Sequence, residues 1–152
     1  MGAGKEKMHM ENILKFLTPK SRTACIDDRS TVRQALEKMR YHGYNALPVI
    51  DAEGKYVGTV TEGDFLWHMV LRSGRFSMRA QENTPVRDIL RPDWNPAVPA
   101  TTTMDALFEK VKERNFAPVV DDRGCFIGLI TRRDVLTYFA KLYMDAEKRD
   151  PV

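Results

Sequence analysis

Twice in this chain a threonine stands three residues before an aspartate at the start of an apolar run: Thr61-Glu62-Gly63-Asp64 and Thr131-Arg132-Arg133-Asp134. This is the spacing of a capping box. The threonine hydroxyl accepts from the backbone N–H three residues on, and the acid reaches back to the threonine N–H. Capping is the plain reading of either copy, and it is compatible with a second use. A helix N-terminus offers free N–H groups and partial positive charge, which suit a phosphate. A carboxylate beside it can accept from the paired hydroxyls of a ribose. The copies differ in charge. Arg132 and Arg133 can hold phosphate oxygens in bidentate fashion, whereas Glu62 repels them. We therefore expect Arg132 or Arg133 to meet phosphate and the two sites to be unequal; the plain alternative is a solvated helix start.

Other chemistry finds no foothold. The histidines are His9, His42 and His68, with no HExxH or CxxC around them, so no metal site is expected. There is no G-x-S-x-G elbow, Walker A loop or G-x-G-x-x-G. No catalytic residue is singled out, and we expect no enzyme activity.

The elements that must position these motifs come in duplicate. Pro48 to Leu66 (PVIDAEGKYVGTVTEGDFL) aligns without gaps on Pro118 to Leu136 (PVVDDRGCFIGLITRRDVL), with eight of nineteen positions identical at an offset of 70 residues. Such agreement marks an internal duplication. Upstream, Val32, Ala35, Leu36 and Met39 form the stripe of an amphipathic helix, and Met104, Leu107, Phe108 and Val111 repeat it. Ser30 or Thr31 caps the first helix, and Thr102 or Thr103 the second. Gly43 supplies a left-handed residue after the first helix, a role we assign to Asn115 after the second. Two short strands follow in each half, joined by the turns AEG and DRG, and then a helix beginning near Asp64 or Asp134.

Each half thus reads strand, helix, strand, strand, helix. Some 60 residues bury only a marginal core, so two halves stacked through their sheets should share one. We set the boundaries at 1–9 (disordered leader or tag), 10–71 (first repeat), 72–84 (polar, basic linker), 85–143 (second repeat) and 144–152 (tail). PVRDIL, from Pro85, is expected to start the second repeat with a short helical turn whose proline sits at the first helical position. MENIL, from Met10, is its counterpart in the first repeat.

Composition sets outer limits. With 43% hydrophobic and 30% charged residues among 152, the balance is that of a folded domain. The apolar runs fall short of a membrane span, and the N-terminus lacks a secretory signal's apolar stretch. Cys25 and Cys125 suggest small buried thiols rather than a disulfide framework. The expected compartment is the cytoplasm, with no membrane contact. A net charge of +3 is small for a nucleic-acid binder. Acidic Glu82 and Asp88 interrupt the arginines at 72, 75, 79, 87 and 91.

The two blocks, GYNALPVIDAEGKYVGTVTEGD and NFAPVVDDRGCFIGLITRRD, resemble the cystathionine-β-synthase-type (CBS) domain family, whose members usually occur as tandem pairs called Bateman modules. The resemblance runs from Met10 to about Tyr143. It implies an α/β fold of two β-α-β-β-α repeats packed through their sheets with pseudo-twofold symmetry. It also implies a regulatory role in which AMP, ADP, ATP, S-adenosylmethionine or cyclic di-AMP binds in clefts between the repeats. Family members commonly dimerise. By resemblance, Thr61 and Asp64, and Thr131 and Asp134, hold ribose hydroxyls. The family motif G-h-S/T-x-x-P departs here: Asn45 replaces the hydroxyl residue before Pro48, and the second copy is one residue shorter.

An adenine slot needs apolar walls with a few polar edges. Its candidates are Thr23, Ala24, Ala46 and Val98, with Ala117 and Pro118 beside the paired strands; Tyr44 and Phe116 could stack on a base. Each can equally be plain core. The function expected is a homodimeric sensor of an adenosine-containing ligand that needs no catalytic cofactor and signals to an effector protein. The alternatives are a ligand-free dimerisation scaffold and, less favoured, nucleic-acid binding through the linker arginines.

Overall fold

The computed structural model describes residues 12–73 and 78–149; the leader assigned to residues 1–9 and the end of the tail lie outside the described residues. Seven strands form two sheets among these residues. The first repeat contains β2 (Ile26–Asp27), α1 (Val32–His42), β3 (Ala46–Ile50), β4 (Tyr56–Thr61) and α2 (Glu62–Ser73). The second contains β5 (Val98–Pro99), α4 (Met104–Glu113), β6 (Phe116–Val120), β7 (Phe126–Thr131) and α5 (Arg132–Arg149). Between them lies α3 (Met78–Asn83), and β1 (Thr18–Pro19) precedes both. The β-α-β-β-α order expected of each half is present. In each, a parallel pair (β2 with β3, β5 with β6) continues into an antiparallel hairpin.

Local sequence explains the helices. Thr31 caps α1 in a full capping box with Gln34, and the chain leaves through Gly43 at φ 69°. Thr103 caps α4. The exit from α4 departs from expectation. Its last cap, Arg114, is extended at φ −128°, and Asp93 is the one described non-glycine residue with positive φ. Asn115 therefore does not play the part of Gly43. With one residue fewer before the strand, the chain runs straight from α4 into β6.

The pseudo-twofold relation shows at the hairpin tips. Tyr56 N–H donates to the Gly124 carbonyl (3.1 Å), and Phe126 N–H donates to the Gly54 carbonyl (2.9 Å). These bonds exchange under the 70-residue offset. The rings of Tyr56 and Phe126 stack on each other at 6.3 Å.

The core differs from the single shared one expected. There are two apolar clusters, one per sheet, stitched together by exchanged turns. Ile13 and Phe16, in a 3-10 turn before β1, bury into the second repeat with Met104, Leu107 and Ile130. Val86, from the 3-10 turn Val86–Ile89, is fully buried in the first repeat with Leu47, Val49 and Val60. The described part of MENIL, from Asn12, and PVRDIL are counterparts, but each serves the other half. Strand β1 continues the exchange by pairing with β7, Thr18 opposite Leu129 and Pro19 opposite Gly128. Pro85 precedes its turn in extended conformation rather than opening a helix.

The seam between repeats is partly polar. Tyr56 Oη lies 2.6 Å from Thr59 Oγ1 and donates to the Asn95 carbonyl (2.6 Å). Burial there pushes the Tyr56 phenol up to about 12. The described residues of the stretch assigned to the linker, 72–84, are mostly helical. Helix α2 extends to Ser73, α3 packs on α1, and Glu82 pairs with Arg33. Cys25 and Cys125 are free and only half-buried, so neither is the fully buried thiol expected.

Candidate functional site

Between the repeats lies an open cleft with a volume of about 470 Å³. The first repeat contributes Thr23, Ala24, Tyr44, Asn45, Ala46 and Pro48; the second contributes Phe116 and Thr131. These eight were expected from sequence. Thr18, Arg22, Gly43, Trp94, Asn95, Arg114, Asn115 and Leu129 also line it. Of these eight, Trp94 had a legible signal, an aromatic in the proline-rich approach RPDWNP; Arg22 and Asn95 had none.

Thr131, the first residue of the second T-x-x-D, lines the cleft, and Asp134 follows it one helical turn on. Thr131 Oγ1 accepts from Asp134 N–H (3.1 Å), so the threonine half of the capping box is made. The Asp134 side chain is exposed, and its carboxylate accepts no hydrogen bond from any described residue. It is a free acceptor at the start of an eighteen-residue helix. The Arg22 guanidinium, on the cleft wall, makes no hydrogen bond or ion pair with a described residue. Deeper in, Asn95 is buried at 3% exposure. Its Nδ2 donates to the Phe116 carbonyl, while Oδ1 has no partner among the described residues. A buried acceptor without a donor is costly and is resolved by a ligand or water N–H or O–H.

The first T-x-x-D is arranged differently. Asp64 is 4% exposed. Its Oδ2 accepts from Thr61 N–H (2.8 Å) and Thr61 Oγ1 (3.0 Å), while Thr61 Oγ1 accepts from Asp64 N–H (3.3 Å). Here the capping box closes in full. The remaining carboxylate oxygen, Oδ1, accepts from Arg91 Nε (2.8 Å), and Arg91 Nη2 donates to Thr61 Oγ1 (3.1 Å). The Arg91 and Arg114 guanidiniums each lie over the Trp94 ring, 4.5 Å from its centroid.

The remaining expected residues fall outside the cleft. Ala117 and Pro118 are fully buried, and Val98 packs against the second core. Arg132 is turned away from the cleft. Its Nε donates to the Val111 carbonyl (2.6 Å) and its Nη2 to that of Lys112 (3.2 Å), so it satisfies the free carbonyls at the end of α4. Arg133 is exposed and does not line the cleft. The cleft itself presents two arginines: Arg22, and Arg114, which donates to the Trp94 and Glu113 carbonyls.

CBS-domain sequences match residues 16–71 and 81–141. The chain belongs to the CBS domain family. An uncharacterized protein of Methanocaldococcus jannaschii, MJ1225, is 30% identical over 118 residues, 70% of this chain and 42% of that protein. The inosine-5'-monophosphate dehydrogenase of the same organism is 31% identical over 111 residues, but the match is 19% of its length. The chain thus spans less than half of these curated relatives. Among solved structures, CbpB in complex with c-di-AMP superposes with a TM-score of 0.85 at 23% identity, covering 96% of this chain and 95% of that one. CBSX2 in complex with AMP gives 0.70 at 25% identity, covering 87% and 98%. Both CBS repeats of this chain therefore adopt the family's tandem α/β fold. Among the described residues no helix is long and apolar enough to cross a membrane, and no three His, Cys, Asp or Glu side chains cluster to hold a metal ion.

Proposed function

We propose that the chain is a regulatory module that binds an adenosine-containing nucleotide in the open cleft and carries out no catalysis. The observation that carries this reading is the exposed carboxylate of Asp134, whose N–H is bonded to Thr131 in the wall of a cleft that also includes Tyr44, Phe116 and Arg22. Each part suits one part of the ligand. Asp134 accepts from the ribose hydroxyls. Tyr44 and Phe116 give the base its aromatic wall, and the unpartnered Asn95 Oδ1 can accept from an exocyclic amine. Arg22 and the α5 N-terminus favour phosphate. The ligands named for CBSX2 and CbpB, AMP and c-di-AMP, are two forms of this chemistry.

The acting form is a homodimer. Leu66, Trp67, Val70 and Leu71 lie exposed along α2, and Leu136 takes the place of Leu66 on α5. An apolar row of this kind marks a protein contact, and a second copy of the module can cover it. Ligand in the cleft bridges the repeats and shifts their relative set by its difference in affinity for the two states. An effector protein reads that shift.

Thermal unfolding against AMP, ADP, ATP, S-adenosylmethionine and cyclic di-AMP tests this. A ligand at ~100 times its dissociation constant adds about 2.7 kcal/mol, which raises the midpoint by several degrees. Asp134→Ala should remove the shift. Sedimentation of the same samples should give a dimer. A cooperative transition that none of the five moves would sink the sensor in favour of a ligand-free scaffold.

A further inference from the structure

The two T-x-x-D motifs are equivalent in sequence, but one is occupied by the protein itself. Asp64 and Thr61 are bound by Arg91, whereas no arginine binds their counterparts, Asp134 and Thr131, the second of which lines the open cleft. Structural equivalence identifies the residue responsible. In each repeat the second hairpin strand carries a glycine, Gly58 or Gly128, and a leucine from an exchanged turn packs over it. A Cβ at Gly58 would meet Leu90 Cδ1 at 3.2 Å, and one at Gly128 would meet Leu17 Cδ1 at 2.9 Å. The residue after Leu90 is Arg91, and the residue after Leu17 is Thr18. Arg91 therefore fills in one half the place that Thr18 leaves open in the other.

We propose that Arg91 is a built-in latch that occupies the first repeat's ribose position, so that the chain takes nucleotide in one cleft only. Three features make Arg91 a good occupant. Its guanidinium neutralises a carboxylate that is 2% exposed at the side chain, while Arg91 itself remains 47% exposed and keeps part of its hydration. It makes two directed bonds, one to each residue of the motif. Trp94 braces its flat face. A ribose would have to displace all three with neutral hydroxyls, leaving both Asp64 and Arg91 to find new partners. The stack has a further consequence. Trp94 also lines the open cleft and touches Arg114, so the latched half props the wall of the working half.

This inference rests on the reading of the open cleft as a nucleotide site, and the test separates the two. Calorimetric titration with AMP and with cyclic di-AMP gives the number of sites per chain for four proteins: wild type, Arg91→Thr, Thr18→Arg and Asp134→Ala. Arg91→Thr copies the open half into the closed one, and Thr18→Arg does the reverse. The expected site counts are one, two, none and none. The double variant Arg91→Thr/Asp134→Ala should bind one, and Asp64→Ala added to it should abolish that binding. Two sites in the wild type, or an unchanged count in a folded Arg91→Thr, would overturn the latch. A wild type that binds nothing beside an Arg91→Thr that binds one would overturn the open-cleft reading and leave the latch standing. Silence from both would overturn both.

Discussion

Ile13→Ala should lower the stability of the second repeat, although Ile13 belongs to the first repeat by sequence. Its side chain is fully buried against Met104, Leu107, Ala117 and Ile130. Truncating a buried isoleucine removes its transfer free energy and leaves a cavity, at a cost of about 2–5 kcal/mol. The turn bearing Ile13 is held by Phe16 in the same cluster and by β1 on β7, which limits its collapse into the space. Urea unfolding of wild type and variant measures the total. Amide exchange locates it: protection should fall most in α4, β6 and β7. Val86→Ala is the reciprocal case, with the loss falling on α1, β3 and β4. A loss confined to the residues around Ile13, with the second sheet unchanged, would show that the exchanged turn decorates the core rather than completing it.

Gly128→Ala should be nearly as damaging and should also disable the cleft. Gly128 has φ +154°, and a Cβ there would lie 2.3 Å from the Thr18 carbonyl oxygen and 3.0 Å from Pro19 Cα. Backbone cannot yield as a flexible side chain can, so β1 must move off β7. Overpacking of this kind, added to an unfavourable φ, costs about 3 kcal/mol. Thr18 lines the cleft and Leu129 is its pairing partner, so nucleotide stabilisation should drop with the fold. Gly58→Ala is the internal control. Its Cβ would meet the Leu90 side chain at 3.2 Å, which can shift, and the expected cost is about 1 kcal/mol or less. Thermal midpoints of the two variants, with and without AMP, make the comparison. Equal losses would mean that the close approach of β1 is not what requires the glycine at 128.

Both arguments turn on contacts that join distant parts of the chain, and that is where sequence reading reached its limit. The helix starts at Thr31 and Thr103 were legible because a cap involves residues three apart. The hairpins were legible because their turns and strands are neighbours. The failure at Asn115 has the same origin in reverse. A composition preference for positive φ was outvoted by a shortened connection, which pulls α4 directly into β6. Arg132 shows the same limit in the site. Its charge and position suited phosphate, but the carbonyls ending α4 lie within reach and cannot be seen from a motif.

The sequence by itself determined that there are two repeats, what secondary structure each contains, and that a T-x-x-D motif sits at the head of each final helix. Periodicity, caps and an internal alignment depend on near neighbours or on direct comparison, so they survive without coordinates. Tertiary structure alone decided which of two like motifs is free. The exchanged turns carry Leu17-Thr18 to the second repeat and Leu90-Arg91 to the first. Thr18 makes no bond to Asp134, whereas Arg91 pairs with Asp64. That single difference in side-chain length and charge acts only once the chain has crossed over, and it leaves one carboxylate buried in an ion pair and the other exposed.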